Sequence, residues 1–305
     1  MKLADFDAWM RSELDAVERA LERWVPTDAP AGLGLAMRYG VLDGGKRVRP
    51  LLVLAAAQAV HGNQDAAMRA ACAVELIHAY SLVHDDMPCM DNDILRRGKP
   101  TVHVRYGEAQ AMLAGDAMQA LAFEVLTPCA NSLTALPGPH GVPPALQARL
   151  CALLARAAGH AGMAGGQAID LVSIGRPLDE RTLRDMHHRK TGALLQASVL
   201  MGAACGTTTP AAWQALSEYG DAIGLAFQVV DDILDVTQES ETLGKTAGKD
   251  ASDNKPTYVT VLGLDAARRH AAELRDTALA ALARSGLAQA AWLSLLADKI
   301  VERDS

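Results

Sequence analysis

The sequence predicts an all-α fold, and three observations carry that expectation. Half of the 305 residues are hydrophobic, alanine is very frequent, aromatics make up only 4%, and β-branched residues are sparse. That composition favours helix over sheet. Apolar residues recur at spacings of three and four almost throughout, and no segment alternates convincingly as a strand. Several of the predicted helices are apolar nearly all round, so they must be covered on every side, which takes more than one helix layer. One domain spanning 1–305 is expected, with about ten or more helices.

The periodicity places helices at 3–24, 31–38, 47–61, 65–86, 101–126, 145–163, 179–204, 209–237, 256–284 and 287–302. Gly44 and Gly45 allow a tight turn before the third, and Pro50 suits its first turn. The fourth contains "ACAVELIHAYS", and Pro88 disfavours its regular continuation. Residues 128–144, with five prolines and two glycines, read as a surface loop. Residues 238–255, "QESETLGKTAGKDASDNK", are polar and read as a second loop. Helical patterning resumes at once beyond each, so neither is an inter-domain linker.

A net charge of −7 does not suggest a nucleic-acid partner. The cysteines, Cys72, Cys89, Cys129, Cys151 and Cys205, are odd in number and lack a C-x-x-C. They read as reduced thiols in a cytoplasmic protein. The start, "MKLADFDAWM", carries acids where a signal peptide needs bases and an apolar run. The longest apolar stretches, such as "GALLQASVLMGAACG", are shorter than a membrane span, so no stable membrane insertion is expected.

Four polar constellations stand out. "GGKRVRPLL" offers Lys46, Arg47 and Arg49 beside a helix start, where three cations, backbone N–H groups and the helix dipole could meet one anion. "LRRGK" adds Arg96, Arg97 and Lys99, and arginine suits bidentate phosphate binding. "HDDMPCMDND" holds Asp85, Asp86, Asp91 and Asp93. On a continuous helix Asp91 would point away from Asp85, but a bulge at Pro88 can swing it back. Counted from Asp91, the sixth and twelfth positions are Arg96 and Val102, not the Gly and Glu of an EF-hand.

The fourth decides the reading. In "FQVVDDILDVT", Asp231 and Asp235 share a helix face, Asp232 flanks them, and Gln228 lies near Asp231 on the preceding turn. The neighbours are apolar, which a solvated face does not explain. Two aspartate clusters on apolar helices, with separate basic clusters, suggest walls facing across one cavity. Mg²⁺ and a diphosphate between them would cancel charges that neither wall could bury alone. "HHRKTGALL" brings Lys190 and Thr191 to the start of an apolar helix segment, and 238–255 adds Lys245, Lys249 and Lys255, of which Lys249 reads as solvated. His78 lies seven residues before Asp85, about 20° away on the same helix face.

Together, "GGKRVRPLL", "HAYSLVHDDMPCMDNDILRRGKPTVH", "KTGALL" and "FQVVDDILDVT…LGKTAGKDASDNKPTY" resemble the trans-isoprenyl diphosphate synthases, and among them the bacterial farnesyl diphosphate synthase subgroup. The similarity covers almost the whole chain, with the motifs in order. It implies an isoprenoid-synthase-like bundle around a deep central cavity, usually a homodimer. It also implies head-to-tail condensation of isopentenyl diphosphate onto an allylic diphosphate, with farnesyl diphosphate as the expected product and geranylgeranyl diphosphate as the alternative. By this resemblance Asp85, Asp86 and Asp91 hold two Mg²⁺ ions and Asp231, with Asp232 and Asp235, a third. Arg96, Lys190, Lys245 and Lys255 bind the allylic diphosphate. Gly45, Lys46, Arg49, His78 and Arg97 take isopentenyl diphosphate. Thr191 and Gln228 place oxygens near the allylic cation.

In the resemblance, the residues five and four before the first motif aspartate form the pocket floor. These are Tyr80 and Ser81, and five helical residues span about 7.5 Å. Bulky Tyr80 with small Ser81 resembles the farnesyl-forming pattern, although an ideal helix puts Ser81 more nearly under Asp85. His84 reads as a positioning residue. Two positions depart from the pattern: Ile94 replaces a frequent acid, and the terminal "VERDS", with Arg303 its last base, argues against a basic tail closing over the site. Three rivals explain less. A helical metal-dependent phosphohydrolase, suggested by His84–Asp85, wants a histidine-rich shell. A terpene cyclase commonly carries a different second motif, and a non-catalytic subunit should have lost an aspartate cluster.

Overall fold

A computed structural model describes residues 3–42, 44–128, 141–176, 178–237 and 257–303. The chain is helical along nearly all of that length. In order, the helices are α1 (Leu3–Trp24), α2 (Leu33–Val41), α3 (Val48–Ala59), α4 (Gln64–Asp85), α5 (Val102–Tyr106), α6 (Glu108–Leu126) and α7 (Pro144–Ala158). Then come α8 (Met163–Ser173), α9 (Glu180–His187), α10 (Ala193–Ala204), α11 (Pro210–Thr237), α12 (Tyr258–Leu262), α13 (Leu264–Arg284) and α14 (Ala291–Val301). One short antiparallel ladder, β1 (Leu95–Arg96) with β2 (Lys99–Pro100), folds the arginine cluster into a hairpin.

Local chemistry sets the boundaries. Asn63 caps α4 by accepting from the Ala66 N–H at 2.9 Å, and Asp179 caps α9 by accepting from Thr182 N–H at 2.7 Å. Gly107 and Gly263, at φ +88° and +84°, break what periodicity reads as the single helices 101–126 and 256–284. The expected helix 145–163 ends at Ala158, and a helix the sequence reading missed, α8, follows. The expected helix 179–204 is interrupted by a π-turn at His188–Gly192.

Three apolar clusters hold these elements. One joins α4 to α6, α7 and α10, and a second joins α3 and α10 to α11, α13 and α14. A smaller third cluster, with Leu183, Leu225 and Tyr258, ties α9 and α12 to α11. The central α4 has the length and apolarity of a membrane span, but most of it is buried inside the bundle. The alanine-rich composition now has a use: small residues let α3 and α10 approach closely. A Cβ added at Gly202 would lie 2.1 Å from the Val53 carbonyl oxygen. Gly202→Ala should therefore destabilise by about 1–3 kcal/mol, read as a fall of several degrees in melting temperature. An unchanged midpoint would contradict this packing.

Candidate active site

A cavity of about 550 Å³ opens between α3, α4, the hairpin and α11, lined among others by Lys46, Arg49, His78, Arg97, Thr191 and Asp231. Its basic side begins at the Gly44–Gly45 turn. Arg97 donates to the Gly44 carbonyl, and a Cβ at Gly45 would lie 2.8 Å from the Arg97 guanidinium. Glycine therefore lets the two basic clusters close on each other. The expectation that Lys46, Arg47 and Arg49 meet one anion needs correcting for Arg47. This residue takes a left-handed backbone (φ +46°) and is buried. It donates to Glu18 at 2.6 Å, to Glu75 at 2.7 Å and to the Val41 carbonyl at 2.6 Å. Its charge is already matched inside the protein.

Lys46 and Arg49 remain at the cavity. Burial, followed by Arg303, pushes the Lys46 ammonium down. Arg49 is buried, and its Nε finds no hydrogen-bond acceptor among the described residues. A buried guanidinium N–H in that state favours an incoming anion. His78 is pushed well below its ordinary value, chiefly by burial and then by Arg49 and Arg97, so it stands as a neutral imidazole.

The first aspartate wall shows the expected bulge. After α4 ends at Asp85, the Asp91 N–H donates to the Asp85 carbonyl at 2.8 Å, and Asn92 (φ +51°) donates to Met87 at 3.1 Å. The chain thus turns back and brings Asp91 beside Asp85. Burial pushes the Asp85 carboxyl up to about 6; Lys190 opposes that shift and Asp91 reinforces it. Asp86 is placed differently: Arg96 grips it with Nε at 2.9 Å and Nη2 at 2.5 Å. Asp93 lies outside this pair, 3.9 Å from Arg96. His84 faces α6, its ring nitrogen 3.0 Å from the Met112 carbonyl, in space that Gly115 leaves open.

Lys190 and Thr191 lie in the π-turn, a distortion often found at functional sites. Lys190 pairs with Asp170 of α8 at 2.5 Å. Thr191 donates to Gln228 Oε1 at 2.7 Å. On the second wall Asp231 accepts from Arg303 at 2.5 Å. Arg303 also donates to the Phe227 carbonyl at 2.8 Å, and its guanidinium lies 3.8 Å over the Phe227 ring. Arg303, the last base in the sequence, thus lines the cavity as a single side chain. Asp232 and Asp235 are buried behind Asp231. Lys245, Lys249 and Lys255 lie outside the described residues.

These donors suit Mg²⁺. Asp85 and Asp91 are neighbouring hard oxygen donors at the end of α4, and Asp231 is a further one lining the cavity from α11. Among the described residues no three acidic, histidine or cysteine side chains converge on one point. A metal here would complete its shell with diphosphate oxygens and water, as Mg²⁺ commonly does. Sequence reading missed Glu75, Asp170 and Gln167. The last two lie on the unrecognised α8, and "GGQAID" carried the signal: polar residues three apart on a glycine-bearing apolar segment. Gly166 lets α8 pack against the π-turn, since a Cβ there would lie 2.2 Å from Lys190 N. Both amide atoms of Gln167 are buried and unbonded among the described residues.

A stability prediction follows from Asp85. Its folded-state value lies above the unfolded one, so its charged form costs stability above about pH 6, and the cost fades as pH falls toward 4. Metal-free Asp85→Asn should therefore melt a few degrees higher than the parent at pH 7, at about 2–4 °C per kcal/mol. The gain should shrink at pH 5. An equal or lower melting temperature at pH 7 would contradict the strain assigned to this carboxylate.

Comparison with known proteins places the chain in a family. Residues 31–290 match the polyprenyl synthetase family model. A geranylgeranyl pyrophosphate synthase of Capsicum annuum, named chloroplastic, is 47% identical over 99% of this chain and 79% of its own. The crystal structure of an FPP/GFPP synthase from Zymomonas mobilis superposes with a TM-score of 0.84 at 38% identity, covering 98% of this chain and 99% of its own. A Helicobacter pylori geranyltransferase complexed with magnesium and isoprenyl diphosphate gives 0.81 at 33%, over 96% and 95%. On the strength of the family match, the aspartate walls and these relatives, the chain belongs to the polyprenyl synthetase family of prenyltransferases.

Proposed function

We propose that this chain condenses isopentenyl diphosphate head-to-tail with an allylic diphosphate, using Mg²⁺. The observations that carry the reading are Asp85 and Asp91 folded together within the influence of Lys190, and a cavity lined by Asp231, Lys46 and Arg49. Lys190 and Arg96, with Lys245 and Lys255, would hold the allylic diphosphate. Gly45, Lys46, Arg49, His78 and Arg97 would hold isopentenyl diphosphate. Asp85, Asp91 and Asp231 would hold Mg²⁺, which would supply positive charge where the departing diphosphate becomes negative. The number of ions, three by resemblance, belongs to the same proposal.

Heterolysis of the allylic C–O bond sends its electron pair to the diphosphate and leaves an allylic cation. The fixed cations stabilise the leaving group most in that transition state. The Thr191 oxygen would face the cation, with Gln228 behind it accepting the Thr191 hydroxyl hydrogen instead of facing the cation as the resemblance implies, and the apolar walls would keep water away. The isopentenyl double bond attacks the cation, and the released diphosphate takes the proton that restores an alkene. Neutral His78 serves as a hydrogen-bonding contact.

For the product, geranylgeranyl diphosphate is the first reading, because the curated relatives carry that name at 44–48% identity. Farnesyl diphosphate is the second, and Tyr80 favours it. Its ring packs edge-on to His84 at 5.7 Å, within reach of Gln119 of α6. Ser81 turns its hydroxyl back to the His78 carbonyl and adds little bulk. A homodimer is supported by exposed apolar side chains on neighbouring helices: Leu35 of α2, Val104 of α5 and Leu113 of α6. The reducing cytoplasm fits the free cysteines Cys72, Cys89, Cys151 and Cys205.

Incubation with isopentenyl and geranyl diphosphates plus Mg²⁺, followed by mass spectrometry, should show fifteen- and twenty-carbon diphosphates and identify the end product. Folded protein that gives no condensation product would overturn the reading. Tyr80→Ala should lengthen the end product by at least one five-carbon unit. An unchanged product profile would remove Tyr80 as the floor.

A further inference from the structure

The polar atoms behind Thr191 form a relay with a defined direction. Asp232 is 2% exposed, on the α11 turn that follows Gln228. Its Oδ2 accepts from the Tyr258 N–H at 2.7 Å, which ties it to the start of α12. Its Oδ1 accepts from Gln228 Nε2 at 2.8 Å. Gln228 Oε1 in turn accepts from the Thr191 hydroxyl at 2.7 Å. The His187 ring nitrogen also lies near, 3.9 Å from Oδ2.

An amide's two ends are alike in shape and opposite in polarity, so its neighbours decide which way it points. An ionised carboxylate can only accept. Asp232 therefore obliges Gln228 to turn its NH₂ inward and its carbonyl oxygen toward Thr191. Thr191 has a single hydroxyl hydrogen, and the carbonyl takes it. The hydroxyl lone pairs are then left for the cavity that Thr191 lines. Reversing the amide would invert every dipole in this row.

We infer that Asp232 is a positioning residue: it fixes the Gln228 amide and, through it, points the Thr191 oxygen at the carbon that becomes cationic, instead of ligating metal. This departs from the metal role that the motif resemblance gives Asp232. It rests on the prenyl-transfer reading above. The electrostatic benefit arises only as charge develops, so it belongs to the rate of the chemical step and not to ground-state binding.

Asp232→Asn tests it. An asparagine that keeps its oxygen on the Tyr258 N–H presents NH₂ to Gln228, which must then flip. The turnover number should fall by about a hundredfold, the size seen when one aligned dipole is lost. KM for both substrates and the Mg²⁺ concentration for half-activity should stay within roughly twofold of wild type on that same argument. Adding Gln228→Glu should restore the relay, because a carboxylate accepts both from the introduced asparagine NH₂ and from Thr191, and should recover most of the turnover. Gln228→Glu alone sets two carboxylates against each other and should lower turnover with no gain in Mg²⁺ affinity, a readout that does not depend on the Asp232 variant folding. A raised Mg²⁺ requirement in Asp232→Asn without rescue by Gln228→Glu, tighter Mg²⁺ binding in Gln228→Glu alone, or unchanged turnover in Asp232→Asn would each overturn the inference. Wild-type protein that yields no condensation product would instead sink the underlying prenyl-transfer reading.

Discussion

Like charges held at the ends of apolar helices are the constraint on which this site depends. Asp85 ends α4 and Asp91 is folded back against it by a backbone hydrogen bond. Neither can be moved to solvent without undoing the turn around Pro88, and burial raises the cost of keeping Asp85 ionised. Asp231, which lines the cavity, stands on a helix whose other faces build two hydrophobic clusters. The protein meets part of this charge from its own side chains, with Lys190 acting on Asp85 and Arg303 on Asp231. Under the proposed function, a metal and a diphosphate would meet the rest.

The same logic sorts the cations. "GGKRVRP" carries three, and the fold divides them by burial. Arg47 is enclosed by Glu18 and Glu75, and losing a partner from such a buried pair costs about 3–5 kcal/mol. It holds the turn, and so it holds Lys46 and Arg49 at the cavity. Asp86 plays the matching part among the acids, since its grip on Arg96 braces the hairpin that also carries Arg97. In each basic cluster, then, one arginine is held by acids while its sequence neighbours, Lys46 and Arg49 in one case and Arg97 in the other, line the cavity.

Much of this was legible in the sequence because periodicity and charge placement are local properties. The helices that carry the motifs, α3, α4 and α11, appear within about two residues of their expected limits, and the Pro88 bulge turned out as spacing suggested. What stayed hidden depends on three-dimensional closeness. Nothing local says that Arg47 finds Glu18 and Glu75 while Arg49 two residues later does not. Nothing local pairs Arg303 with Asp231, seventy-two residues earlier, yet α14 ends beside α11 and delivers it there. The glycines at 107 and 263 sit inside unbroken apolar patterns, so periodicity ran straight through them. The α8 helix escaped because its glycines and polar residues blunt the apolar stripe, although those residues let it touch the π-turn and pair Asp170 with Lys190.

The central claim is that the carboxylate and cation walls are each strained alone and relieved together by metal and diphosphate. Thermal melting with Mg²⁺ alone, inorganic diphosphate alone and both together tests it most directly. The account predicts that the pair raises the melting temperature by more than the sum of the separate shifts. Binding of both, shown independently by calorimetry, with no synergistic gain in melting temperature would contradict it.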